Sequence, residues 1–152
     1  YNDIVPFIAA IKKMGLAVKL DTNGANPRLL KDLYDQKMLD YVAFDIKSSP
    51  EKYGEVSGVN VDLDKIKESI QMVMNGQIPY EFRSTILPRL HTETEIEKMA
   101  RFIKGARLYF LQNFVPRNTL DKSFMDERSF APDELSKLAA IAGRYVEKCQ
   151  IR

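Results

Sequence analysis

Cys149 is the only cysteine in a chain of 152 residues, which excludes an internal disulfide framework and fits a reducing compartment. No apolar run reaches membrane-spanning length and no signal-like segment opens the chain, so a cytoplasmic protein is expected. Charge of one sign is not in excess either: 23 basic residues face 21 acidic ones, for a formal net charge of +2. That balance argues against nucleic acid as the main partner, because such proteins usually carry a strongly basic face. Lys12, Lys13, Lys65 and Lys67 read instead as solvated helix surface. Low-complexity stretches and linkers are missing too, which leaves 1–152 as a single domain. What is present is 45% apolar residues and enough length to bury a core.

Helical periodicity begins almost at the first residue, Tyr1, with Ile4, Phe7, Ile8 and Ile11 on one face. A helix with no element before it suggests that upstream sequence has been removed. Asp3 can cap this helix, Pro6 is tolerated in its first turn, and Gly15 provides its exit. A strand over 16–21 then breaks at Asn23 and Gly24. Asn26 and Pro27 restart a helix with Leu29, Leu30 and Leu33 inward, and a second strand covers 41–47. A loop holding Gly54 and Gly58 leads to a helix from Asp62, with Ile66, Ile70, Val73 and Met74 inward and Gly76 at its exit. The third strand covers 80–87 and stops at Pro88. Thr92 with Glu95 reads as a capping box for a helix burying Ile96, Met99, Ala100 and Ile103. A fourth strand covers 108–114. After a longer, polar and mobile loop at 115–131, Pro132 opens a last helix with Leu135, Leu138, Ala139, Ala142 and Val146 inward, and a further strand begins at Cys149.

Strands that alternate with helices require a parallel sheet, because each crossover passes over one face before returning. The expectation is an α/β fold: an open, curved parallel sheet of about four strands in the order 1-2-3-4, with crossover helices. Four strands are too few to close a (β/α) barrel.

Chemistry in such sheets sits where strands end. Alternation along the second strand puts Tyr41, Ala43, Asp45 and Lys47 on one face, with Val42, Phe44 and Ile46 on the other. Asp45 and Lys47 are two residues apart, so their Cα atoms lie about 6–7 Å apart and can grip different groups of one ligand. The competing reading is a rim salt bridge. Asp21, at the end of the neighbouring strand, alone reads as a turn aspartate before Asn23 and Gly24. Paired with Asp45 it means more, since neighbouring carboxylates repel unless a cation, an amine or a guanidinium lies between them. Lys47 and Arg83 can fill that role, as can a metal ion or a ligand ammonium. Arg83 shares its face with Glu81 and Thr85 and needs a carboxylate partner, from Glu81 or from a ligand. His91 reads as a solvent-exposed loop residue, and Gln112 and Asn113 as ligand contacts or loop caps. Met72, Met74 and Met99 read as core packing and Cys149 as a buried or inert thiol.

The strings VKLDTNG (18–24), DYVAFDIK (40–47) and FRSTILP (82–88) resemble the radical S-adenosylmethionine (SAM) enzymes. More narrowly, with IKGA (103–106) and LQNF (111–114), they resemble the activases of glycyl radical enzymes, such as those of anaerobic ribonucleoside-triphosphate reductase and pyruvate formate-lyase. The resemblance runs from about residue 3 to residue 121, and its strand-end motifs are specific in combination rather than singly. It implies a fragment of a partial (β/α)6 barrel without its first two strands, and a cofactor site of Asp21, Thr22, Asn23, Asp45, Lys47 and Arg83 that holds SAM. A monovalent cation near Asp21 and Asp45 belongs to the same implication. The family's CxxxCxxC loop, which carries a 4Fe-4S cluster, has no counterpart here, nor does its Gly-Gly-Glu-type motif. The implied reaction of the longer protein is reductive cleavage of SAM to a 5′-deoxyadenosyl radical, which abstracts hydrogen from a glycine of the partner enzyme. Its partners would be that glycyl radical enzyme and an electron donor. One cysteine cannot supply three thiolates, so the piece alone is expected to be catalytically silent and to bind SAM weakly.

Two other readings compete. Lys47 could form a Schiff base in an aldolase-type lyase, which borohydride trapping with small aldehydes would reveal; or the strand-end charges could belong to a non-catalytic scaffold that binds a small anion. A missing pair of strands would also expose the edge of the first strand, so self-association is expected.

Overall fold

A computed structural model describes residues 4–117, 119 and 121–152; the Asp3 cap expected for the first helix lies outside the described residues. The elements are α1 (Ile4–Lys13), β1 (Lys19–Thr22), α2 (Pro27–Asp35), β2 (Tyr41–Asp45), α3 (Tyr53–Ser57), α4 (Leu63–Asn75), β3 (Tyr80–Ile86), α5 (Glu93–Phe102), β4 (Tyr109–Asn113), α6 (Pro132–Ala142) and β5 (Cys149–Ile151). The strands form an open sheet in the order β1-β2-β3-β4-β5. The α/β class and the sequential order follow the expectation, with five strands in place of about four because Cys149–Ile151 pairs with β4.

The chain gathers into two compact units, Tyr1–Asp45 with Asp62–Glu81 and Ile46–Val61 with Phe82–Arg152. In the first, β1 and β2 pair in parallel with Lys19 opposite Tyr41 and Asp21 opposite Ala43. Helix α2 starts as its sequence dictates: Asn26 Oδ1 accepts from Leu29 N–H at 3.1 Å and Pro27 takes the first position, where no amide is needed. Asp62 caps α4 in the same manner, accepting from Asp64 N–H and Lys65 N–H. Leu30, Leu33, Val42, Phe44, Ile66, Ile70 and Val73 fill the core of this unit. Two expectations fail here. Phe7 is 64% exposed, and α1 buries only Ile8. The first strand begins at Lys19, not at residue 16.

In the second unit β3, β4 and β5 pair in parallel, and α5 and α6 bury Ile96, Met99, Leu135 and Leu138. The expected loop around Gly54 contains α3, which ends at Gly58 in the left-handed conformation (φ 67°). Tyr109 is completely buried. Ser84 Oγ donates to the Ile46 carbonyl at 2.6 Å, so its own oxygen must accept the Tyr109 hydroxyl at 2.8 Å. Tyr109→Phe is therefore expected to remove one buried hydrogen bond and cost about 1 kcal/mol in a urea melt, because Ser84 keeps its carbonyl partner. The segment at 115–131, expected to be mobile, is anchored at its far end. Asn113 Nδ2 donates to Phe130 O and Asn113 Oδ1 accepts from Phe130 N–H, both at 3.0 Å, while Ser129 Oγ donates to Phe114 O.

Candidate functional site

Within the first unit, strand alternation decides which side chains share a face. Lys19 and Asp21 on β1 lie on the same side as their partners Tyr41 and Ala43 on β2, and Asp45 follows Ala43 on that side. The lowest layer of this face is closed by ion pairing. Glu81, 2% exposed, accepts from Tyr41 Oη at 3.1 Å and meets Lys19 Nζ at 3.4 Å, while Lys19 lies 5.3 Å from the centre of the Tyr41 ring. A buried carboxylate requires such partners. Above this layer, towards the strand ends, stand Asp21, exposed, and Asp45, half-buried, with the small Ala43 as neighbour. The structure thus brings Asp21 and Asp45 to one face of adjacent strands.

Thr22 and Asn23 shape the turn that follows β1. Thr22 Oγ1 accepts from Gly24 N–H and Asn23 Oδ1 from Ala25 N–H, both at 3.1 Å, and Ser69 Oγ of α4 donates to the Gly24 carbonyl at 2.8 Å. Gly24 has φ 75°, and a Cβ there would stand 2.1 Å from Phe44 Cζ.

Lys47 and Arg83 belong to the second unit. Arg83 is half-buried within β3, with Ile46 N–H donating to its carbonyl at 2.9 Å, and Lys47 is exposed just past the end of β2. The backbone around Lys47 is held by His91 and Glu95. His91 is a correction: it is 1% exposed, not a solvent-exposed loop residue. Its Nδ1 accepts from Leu87 N–H at 3.2 Å and its Nε2 faces the Lys47 carbonyl at 3.3 Å. Burial drives its pKa below the usual histidine value; Lys52 acts in the same direction, and the bonds to Lys47 and Leu87 and the Glu95 charge oppose it.

Glu95 corrects the capping box. Thr92 Oγ1 does accept from Glu95 N–H at 3.3 Å, but the Glu95 carboxylate turns away from the cap. Its Oε1 accepts from Ser48 Oγ at 2.8 Å and from Ser49 N–H at 2.7 Å, and the side chain is buried, at 3% exposure. Burial pushes this carboxyl up, but the donors of Ser49 and Ser48 and the Lys52 charge outweigh it, and its pKa falls below the usual glutamate value. A pair of serines directly after a strand-end lysine, with a glutamate at the third position of a later helix, was the available signal. Asn113 caps the neighbouring loop, as one of its two readings had it, and Gln112 is half-buried near the end of β4.

Cys149 is half-buried and its thiol is pushed up to about 11 by burial. Among the described residues no three His, Cys, Asp or Glu side chains gather as a metal site. Among them, too, no helix is long and apolar enough to cross a membrane.

No protein-family model matches the chain. Over 145 residues it is 33% identical to a protein of Methanocaldococcus jannaschii that carries the provisional name glycyl-radical enzyme activating enzyme. The match covers 93% of this chain, which spans 60% of that relative's length. Among solved structures, a domain of pyruvate-formate lyase-activating enzyme from Bacteroides vulgatus superposes with a TM-score of 0.74 at 16% identity, covering 99% of this chain and 90% of that one. At that identity the likeness is one of fold, and the fold is the open α/β sheet expected of a partial barrel.

Proposed function

We propose, from the premise that this chain is a relative of the glycyl-radical-enzyme activating enzymes, that it is the part of a radical SAM activase that holds S-adenosylmethionine. The supporting observation is the shared face of β1 and β2, where Asp21 and Asp45 stand above the paired layer of Lys19, Tyr41 and Glu81. The donor set fits SAM in kind. The Asp21 and Asp45 carboxylates can accept from ribose hydroxyls and from the ligand's ammonium, and the Lys47 ammonium and the Arg83 guanidinium are of the kind that pairs with a carboxylate. Asp21 with Asp45 is also the place for a monovalent cation. Thr22 and Asn23 contribute through the turn they hold rather than through free side-chain oxygens.

The residues present do not fit an iron–sulfur cluster, which takes three thiolates in this family, and a single half-buried cysteine supplies one. Cluster chemistry and the installation of a glycyl radical on a partner enzyme belong, in this proposal, to a longer cytoplasmic protein supplied by an electron donor. The present chain contributes the binding and orientation of SAM.

The test is a titration with SAM, followed by protein amide shifts in the NMR spectrum up to millimolar ligand. Asp45→Ala is expected to weaken binding about tenfold, the scale of a hydrogen bond to a charged group. Lys137→Ala, which breaks only the surface pair with Glu93, should bind as the parent does. Absence of saturable shifts in the parent, or parent-like affinity in Asp45→Ala, would overturn the proposal. The same samples check self-association through β1, expected as a concentration-dependent rise in scattering mass.

A further inference from the structure

Four consecutive residues beyond β2 are fixed by buried side chains, although the Lys47 side chain they carry is exposed. Ile46 O accepts from Ser84 Oγ at 2.6 Å, Lys47 O faces His91 Nε2 at 3.3 Å, and Ser48 Oγ and Ser49 N–H both donate to Glu95 Oε1. Two of these three side chains come from the junction between β3 and α5, with His91 immediately before the helix cap Thr92 and Glu95 in its first turn. Both are almost fully enclosed, so neither offers a surface for a ligand of its own.

The partners of His91 fix its protonation. An amide N–H can only donate, so Nδ1, which faces Leu87 N–H, must be bare. A carbonyl can only accept, so Nε2, which faces Lys47 O, must carry the proton. The ring is thus a neutral Nε2–H imidazole. A second proton would set two donors against each other at Leu87, and burial with the nearby Lys52 ammonium disfavours it further, while the Glu95 carboxylate favours it. A helix cap or a packed core needs no such polarity at this position. The His91 ring acts as a strut instead, holding the Lys47 carbonyl.

We infer that His91 is a positioning residue that acts through Lys47, its Nε2–H holding the Lys47 carbonyl so that the ammonium is presented to the carboxylate of SAM. The inference rests on the SAM-binding proposal above. Glu95 serves the same loop by holding Ser48 and Ser49.

The experiment is a double-mutant cycle in SAM affinity, together with ¹⁵N imidazole shifts of the unmutated protein. The shifts should report a neutral Nε2–H ring, and an Nδ1–H ring would overturn the inference without any variant having to fold. His91→Asn keeps an acceptor near Leu87 N–H but loses the reach to Lys47. It should weaken SAM binding about tenfold, the scale of coupling within one hydrogen-bond network. His91→Gln, with a donor near the Nε2 position, should restore most of that loss. With Lys47→Ala already in place, His91→Asn should cost nothing more, because its route to the ligand is gone. A purely structural role predicts additive losses in the cycle and no rescue by glutamine, and either result would sink the inference. SAM binding that is lost in Lys47→Ala but intact in His91→Asn removes His91 alone. No binding by the parent removes the SAM proposal, and this role with it.

Discussion

Gly24→Ala is expected to lower the melting temperature by roughly 6–12 °C, corresponding to about 3 kcal/mol in a chain of this size. Two costs add. The backbone at Gly24 has φ 75°, a conformation that costs an L-residue roughly 1–2 kcal/mol. The new methyl would also stand 2.1 Å from Phe44 Cζ and 2.7 Å from Cε2. Phe44 has no exposed surface and cannot swing into solvent, so overpacking adds about 1–3 kcal/mol. The two parts separate experimentally. Phe44→Leu in the Gly24→Ala background makes room for the methyl and should recover the packing part, leaving the double variant more stable than the sum of the single losses. Additive losses would show that the contact with Phe44 is not the cause. The turn also carries Thr22 and Asn23, so, if the SAM proposal holds, Gly24→Ala should weaken SAM binding beyond its effect on stability.

Glu95→Ala should be as costly, at about 3 kcal/mol. It leaves the buried Ser48 hydroxyl and the Ser49 amide without an acceptor, each a penalty of about 1–3 kcal/mol. Glu95→Gln retains an oxygen at the same place and should lose about 1 kcal/mol or less at neutral pH. Acid then distinguishes glutamate from glutamine. The carboxyl has a lower pKa in the folded chain than in the unfolded one, so its stabilising contribution is fully present above the unfolded value. That contribution disappears as pH falls through the folded value. The gap in melting temperature between the parent and Glu95→Gln should therefore be constant near neutrality and close below about pH 4, the usual carboxylate range. A gap that widens in acid would mean that the carboxylate is not held by these donors.

The Ser48–Glu95 contact also shows where sequence reading stops. Thr92 followed by Glu95 satisfies a local rule, and half of that rule holds, since Thr92 Oγ1 does accept from Glu95 N–H. The carboxylate went elsewhere because two donors separated from it by more than forty residues offered it a buried, water-free pairing. A reciprocal cap at a helix end competes with water and is worth less. His91 failed for the same reason. Its position after Leu87 and Pro88 marks a loop, and loops are usually wet. Only the folded chain brings Lys47 O and Leu87 N–H to its two ring nitrogens.

By itself the sequence determined the alternation of helix and strand, the cap at Asn26 and the parallel order. All of these depend on spacing along the chain: a repeat of two in strands, a repeat near four in helices, and the fixed preferences of cap residues. Tertiary structure alone decided that Glu81 is sealed by Lys19 and Tyr41, that Phe7 stays outside, and that His91 and Glu95 hold the loop behind Lys47. Those outcomes depend on which polar groups are buried opposite one another, and burial is a property of the assembled fold rather than of any local stretch of chain.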